Sequence, residues 1–220
     1  MRVLVWDWPT RAFHWLLAIC VIGSIVSVKI GGNAMNWHFR FGYCVLGLVL
    51  FRIVWGFVGS RYARFASFPP SPMRALAYLR GKVGETLGHN PIGAFSVYAL
   101  LLLFGAQAVG GLFANDDIAF EGPLAKFVSS ETVSLITRLH KLNEWVLYGL
   151  VALHLGAILY YRFVQKDDLL GPMITGTKPG APEAAAPWSA GRSILALALA
   201  GAAAGAVWWI VNLGKSVQTF

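Results

Sequence analysis

Five stretches of this 220-residue chain, 12–31, 38–58, 92–113, 139–161 and 192–213, are apolar over close to the full length of a membrane span. A helix needs about 20 such residues to cross a bilayer. Inside hydrocarbon every backbone N–H and C=O must be paired within the protein, which leaves only helices and closed barrels. Runs of this length are therefore expected to be helices rather than strands. Hydrophobic residues make up 57% of the chain and charged residues 13%, far from the balance of a water-soluble domain. The fold class expected is therefore all-α and integral to the membrane. Arg2 and Arg11 precede the first run, but no small-x-small cleavage site follows "VSVKIGGN", so that run reads as a retained helix and not a removed signal.

Basic residues set the expected orientation. Loop 59–91 holds Arg61, Arg64, Arg74, Arg80 and Lys82 against Glu85, whereas loop 114–138 holds Asp116, Asp117, Glu121 and Glu131 against Lys126 and Arg138. The positive-inside rule puts the first loop in the cytoplasm and the second outside. The N-terminus is then cytoplasmic and the C-terminus, after five crossings, periplasmic. This topology accounts for most of the net charge of +8, and no nucleic-acid partner is expected.

Four of the five histidines fall inside or at the ends of these runs. His140 and His154 stand fourteen residues apart in "LHKLNEWVLYGLVALHLG", nearly four helical turns, so both leave one helix face about 21 Å apart along the axis. His14 lies near the inner end of the first run and His38 near the outer end of the second. With the fourth run crossing from outside to inside, two depth-matched pairs result, His14 with His154 and His38 with His140. An isolated histidine can serve as a hydrogen-bonding bridge between helices. Two pairs at two levels point instead to bis-imidazole ligation of haem iron, in which a planar macrocycle takes one axial nitrogen from each side.

Zinc would need about four ligands at one level, and the runs offer no carboxylate except Glu144. No Cys-x-x-Cys-His motif is present, so the haems would be non-covalent and b-type. Cys20 and Cys44 read as isolated core residues at depths that need not match, with no disulfide expected. Haem propionates require cations. Arg40, Arg138 and Lys141 adjoin the outer histidines, and Arg11 and Arg52 lie at the inner level. Arg52 interrupts "LGLVLFRIVWGFVG", where an unpaired guanidinium is costly. Gly42, Gly47, Gly149 and Gly156 suit either a close macrocycle or helix contact. In "GHNPIG", Asn90 and Pro91 read as the cap and first residue of the third membrane helix, leaving His89 interfacial. Trp6, Trp8, Trp15, Trp37 and Trp145 near the run ends fit an aromatic belt, and no quinone-binding residue is assigned.

The segments "WDWPTRAFHW", "FRFGYCVLGLVLFRIVWGFVGSRYARF", "GHNPIGAFSVYALLLL" and the two-histidine stretch resemble the bacterial cytochrome b561 and nickel–iron hydrogenase b-type cytochrome family over residues 1–165. The resemblance implies a four-helix bundle in the bacterial inner membrane with two b-type haems. Carried onto this chain, the iron ligands are His14, His38, His140 and His154. It also implies electron transfer between quinone and a protein outside the membrane. Residues 166–191, rich in Pro, Gly and Ala, then form a cytoplasmic linker to an extra helix in 192–220 whose Gly201-xxx-Gly205 spacing permits close packing.

The function expected is a di-haem carrier joining the quinone pool to a periplasmic c-type cytochrome. A hydrogenase anchor and a superoxide:quinone oxidoreductase are the alternatives within the family. Outside it stands a non-redox protein that handles metal ions or protons. The fifth helix is expected as an anchor or as a dimer contact.

Overall fold

The computed structural model describes residues 1–82, 84 and 86–215, so Glu85 of the basic loop lies outside the described residues. In chain order the elements are β1 (Arg2–Leu4), α1 (Trp8–Ile30), α2 (Met35–Val58), α3 (Pro72–Leu79), α4 (Pro91–Gly111), α5 (Ser130–Tyr160), α6 (Leu170–Thr175), β2 (Thr177–Pro179) and α7 (Ala190–Lys215). Helices α1, α2, α4, α5 and α7 are long and apolar enough to cross a membrane. They coincide with the five apolar runs, and the chain is an all-α, multi-pass membrane protein.

Helix boundaries follow capping chemistry more than hydropathy. Asp7 Oδ1 accepts the Thr10 N–H at 2.7 Å and the Asp7 carbonyl accepts that of Arg11, so α1 opens at Trp8, ahead of the apolar run. Asn90 Oδ1 accepts the Gly93 N–H at 2.6 Å and Pro91 begins α4, as expected from "GHNPIG". Helix α5 starts at Ser130, where residues up to 138 were expected as loop. Its first turns are polar and carry no hydropathy signal, but Ser129 caps them and Val133 and Thr137 are buried. Ser71 and Pro72 start the short α3, whose Met73, Leu76 and Leu79 are exposed.

Large apolar side chains face outward along the spans. On α1, Leu16, Ile19, Ile22, Val26 and Ile30 are exposed at helical spacing. In water such a stripe would be costly, whereas against lipid it is the expected exterior.

The chain packs as two compact units. The first comprises Met1–His14, Arg52–Leu100 and Leu150–Leu197. Its core gathers Val3, Val5 and Trp6 with Tyr62, Leu87, Met173 and Ala185. Strands β1 and β2 form an antiparallel ribbon in which Val3 pairs with Lys178. Residues 166–191, expected as a linker, thus carry a helix, a strand and a short 3₁₀ turn (Pro182–Ala184). Tyr62 Oη donates to the Ala184 carbonyl at 2.7 Å, and the Ala186 N–H donates to the Leu4 carbonyl at 2.8 Å. The segment is folded because its backbone groups find partners here.

The second unit comprises Trp15–Phe51, Leu101–Gly149 and Ala198–Phe220. Leu46, Leu112 and Val207 form its core, so α7 packs through Val207, while Gly201 and Gly205 have no atom within 4 Å of where a Cβ would stand. Cys20 and Cys44 are free, and their thiols are in hydrogen-bonding contact. Their depths therefore match, a point the sequence left open. Cys20 precedes the Gly31–Ala34 turn by about as many residues as Cys44 follows it, so antiparallel α1 and α2 bring them level.

Candidate functional site

Each unit holds one pair of the expected histidines. In the first, the rings of His14 on α1 and His154 on α5 have centroids 6.4 Å apart and planes at 51°. In the second, His38 on α2 and His140 on α5 also stand 6.4 Å apart, with planes at 84°. All four side chains are half-buried.

This separation has a chemical meaning. A metal–imidazole bond of ~2 Å on each side, with ~1.1 Å from nitrogen to ring centre, places the centres of a linear N–metal–N unit about 6.3 Å apart. Both pairs match that span without rearrangement of the helices. Among the described residues no cluster of three or more His, Cys, Asp or Glu side chains gathers, so the donor set suits a cation that brings its own equatorial ligands. Gly42, one turn from His38 on the same helix face, has no atom within 4 Å of a Cβ position, leaving open space beside that pair.

The partners of His38 fix its chemistry. Its Nδ1 lies 3.1 Å from the Ser24 carbonyl and 3.0 Å from the Ser24 hydroxyl. A carbonyl only accepts, so Nδ1 carries the proton and Nε2 keeps its lone pair. This is the arrangement of a metal-ligating histidine held by a neighbouring acceptor.

His140 is set by a chain of amides that sequence reasoning missed. Asn143 Nδ2 donates to the Leu103 carbonyl at 3.0 Å and to Gln107 Oε1 at 2.8 Å. Because the Leu103 oxygen can only accept, the Asn143 amide is oriented, and it orients Gln107 in turn. Gln107 Nε2 then donates toward His140 Nε2 at 3.2 Å, so that nitrogen also carries a lone pair. The His140 Nδ1 is buried without a partner beside Gly110 and Gly111. An apolar cavity of about 510 Å³ borders His140 but not His38, with His140 and Asn143 as its polar members among Ala106, Val109, Phe113 and Ile136. The available signal was the rarity of amides in spans and the i, i+3 spacing of His140 and Asn143. On the same helix Glu144 takes Lys29 at 3.5 Å and the Tyr148 hydroxyl, which accounts for the lone carboxylate of the runs.

Of the five expected propionate partners, Arg11 and Arg52 lie in the unit of His14 and His154, and Arg40, Arg138 and Lys141 in that of His38 and His140. Arg40, Arg138 and Lys141 are exposed, with the Arg40 guanidinium 4.8 Å above the Trp37 ring. Arg11 Nη1 donates to the Ile174 carbonyl at 2.5 Å, and its Nε is buried without a partner. Arg52 is 2% exposed, packs over Phe65 at 5.0 Å and leaves Nη1 unpartnered.

His89, which precedes the third span, is enclosed by protein. Its ring packs against Trp6 at 4.7 Å and Phe68 at 4.2 Å, and its Nδ1 is enclosed with no partner. Burial, reinforced by the charges of Arg52 and Lys178, lowers its pKa to about 3. The strand and loops that enclose it lie in segments read from sequence as tails and connections.

Known proteins are similar to this chain over most of its length. A Ni/Fe-hydrogenase 1 B-type cytochrome subunit from Escherichia coli, named as probable, is 23% identical over 208 residues, covering 78% of this chain and 88% of its own. Probable Ni/Fe-hydrogenase B-type cytochrome subunits from Azotobacter vinelandii (24% identical, 79% and 87% covered) and Cupriavidus necator (21%, 78% and 85%) align to a similar extent. No solved structure matches the chain. The match to the prokaryotic cytochrome b561 family runs over residues 5–176, which takes in both histidine pairs, and the chain belongs to that family of membrane-embedded b-type cytochromes.

Proposed function

We propose that this protein carries electrons across the bacterial inner membrane through two b-type haems, between the quinone pool and a redox protein on the periplasmic side. The observation that carries the reading is the common 6.4 Å spacing of the two histidine pairs. His14 and His154 would ligate the cytoplasmic-side iron, and His38 and His140 the periplasmic-side iron. When bound, haem supplies one-electron chemistry at a potential tuned by its surroundings. The chain's own residues hold and orient it. Ser24 fixes the ring of His38, and the Asn143–Gln107 amides set His140 in the tautomer whose lone pair is on Nε2. Arg11 and Arg52 would neutralise the propionates of the first site, and Arg40, Arg138 and Lys141 those of the second.

The names of the relatives favour a Ni/Fe-hydrogenase as the partner over the c-type cytochrome expected from the sequence alone. With a hydrogenase as partner, electrons would pass between it and quinone through the two haems.

The reading is tested by the reduced-minus-oxidised visible spectrum and pyridine haemochrome of the purified protein with each histidine replaced in turn. Two haems per chain are expected, with His14→Ala or His154→Ala removing one and His38→Ala or His140→Ala the other. A protein that stays colourless with ample haem would end the electron-transfer reading. Haem reduction by hydrogen in the presence of a cognate hydrogenase, against oxidation by soluble c-type cytochromes, separates the two partners.

A further inference from the structure

Among the described residues, the first unit buries two cations, Arg52 and Lys178, against one anion, Asp7. Asp7 is already engaged, since Oδ1 accepts the Thr10 N–H and Oδ2 accepts Trp55 Nε1–H at 3.2 Å. The ion pair found in this unit, Arg162 with Asp168, involves neither buried cation. Desolvating a guanidinium and an ammonium without a counter-ion is costly enough that an anion is expected to complete such a site.

Both cations also act on one buried imidazole. His89 lies within the field of both Arg52 and Lys178, and its Nδ1 is enclosed and unpartnered. Phe65 beneath Arg52 offers a π-face but no hydrogen-bond acceptor. Lys178 reaches the core because strand register sets it opposite the buried Val3, and cross-strand partners share a face. A planar guanidinium, an ammonium and an imidazole N–H together are the donor set of an oxyanion site.

We propose that Arg52, His89 and Lys178 form a carboxylate pocket that receives a propionate of the haem held by His14 and His154. This rests on the haem reading above and adds two residues to it. Lys178 lies beyond the family match at 5–176, so this contact is supplied by the segment after the fourth span. Asp7, at the level of Arg52, precedes His14 by two helical turns, about 10 Å of rise on the same face. The pocket residues and the His14–His154 pair thus lie within one unit.

The test reconstitutes the haem-depleted full-length protein in detergent with haem b or with its dimethyl ester, which lacks the propionate charges. For the His14–His154 site the ester should bind about tenfold or more weakly in the wild type, the cost of a charge-assisted contact. In R52Q/K178Q most of the ester penalty should be lost, the remainder being the share of Arg11, and in K178R the penalty should persist. Uptake at the His38–His140 site reports that each variant is folded. Should the double variant fail that control, K178Q alone is read, and its ester penalty should fall at least threefold. An undiminished penalty in folded variants overturns the pocket while leaving the two-haem reading intact. A bound anionic phospholipid lost with Lys178, alongside an unchanged ester penalty, overturns it in favour of a lipid phosphate. No uptake of either form by the wild type overturns the haem reading itself.

Discussion

Nδ1 of His38 on α2 lies 3.1 Å from the main-chain oxygen of Ser24 on α1, and 3.0 Å from its hydroxyl. The carbonyl also accepts the Ser27 hydroxyl at 3.0 Å, so it is shared. Removing the Ser24 hydroxyl leaves the imidazole with one contested acceptor. A weaker hydrogen bond from Nδ1–H makes the ring a poorer donor to iron. In Ser24→Ala the midpoint potential of one haem should rise by an amount on the order of tens of mV, with the other unmoved. Potentiometric titration reads both, and two unchanged midpoints would show that the contact does not tune the iron.

The amide chain at His140 makes a separate prediction. Asn143→Leu removes the donor that orients Gln107, whose amide is then free to turn and accept from His140 Nε2–H instead. The ring would shift to the tautomer with its lone pair on Nδ1. Loss of such a supporting contact typically costs about 10–100-fold in metal affinity. Haem titration of Asn143→Leu should therefore weaken the His38–His140 site by that order, while Asn143→Gln recovers part of it. Equal affinities in wild type and Asn143→Leu would count against the tautomer argument.

Gly176 holds the ribbon of the first unit together. Its carbonyl accepts the N–H groups of both Val5 and Trp6, at 2.9 and 3.0 Å, and its φ is +85°. A Cβ there would meet the Trp6 carbonyl oxygen at 2.7 Å. Strain in the left-handed region and the backbone clash together cost about 1–3 kcal/mol. Gly176→Ala should lower the thermal midpoint in detergent and speed proteolysis between Met1 and Trp6, and an unaltered cleavage rate would show that the ribbon tolerates the change.

What could be read in advance divides along physical lines. The apolar runs and the histidine pairing were legible, because span length and helical spacing are periodic properties that one sequence carries. Asn90 and Pro91 were legible for the same local reason. The enclosure of His89 was not, since Trp6, Phe68, Arg52 and Lys178 come from four distant segments and no periodicity links them. The amide chain from Asn143 through Gln107 to His140 is equally non-local. Residues 166–191 read as a linker because Pro, Gly and Ala carry little pattern, yet backbone pairing with Leu4 and Tyr62 folds part of them. The level placement of Cys20 and Cys44 needed the turn at Gly31–Ala34, where hydropathy shows only a short gap.

His89 supplies the pH dependence. Its folded-state pKa of about 3 lies below the ordinary value of 6.5, through burial first and then the charges of Arg52 and Lys178. Trp6 and Phe68, which pack on its ring, do not titrate at acid pH. A folded imidazole held neutral takes up fewer protons than an unfolded one between these two values. Its contribution to stability is therefore fully present above pH 6.5 and is lost as pH falls toward 3, by at most ~1.4 kcal/mol per pH unit. In haem-depleted protein the thermal midpoint should drop on acidification through this window, and His89→Gln should flatten the drop. A carboxylate placed against Arg52 and Lys178 would offset their repulsion of the imidazolium, so the His89-dependent part of the slope should be smaller in haem-loaded protein. Differential scanning of the four samples from pH 7 to pH 4 measures both effects. A slope identical in wild type and His89→Gln would remove His89 from the account of acid sensitivity.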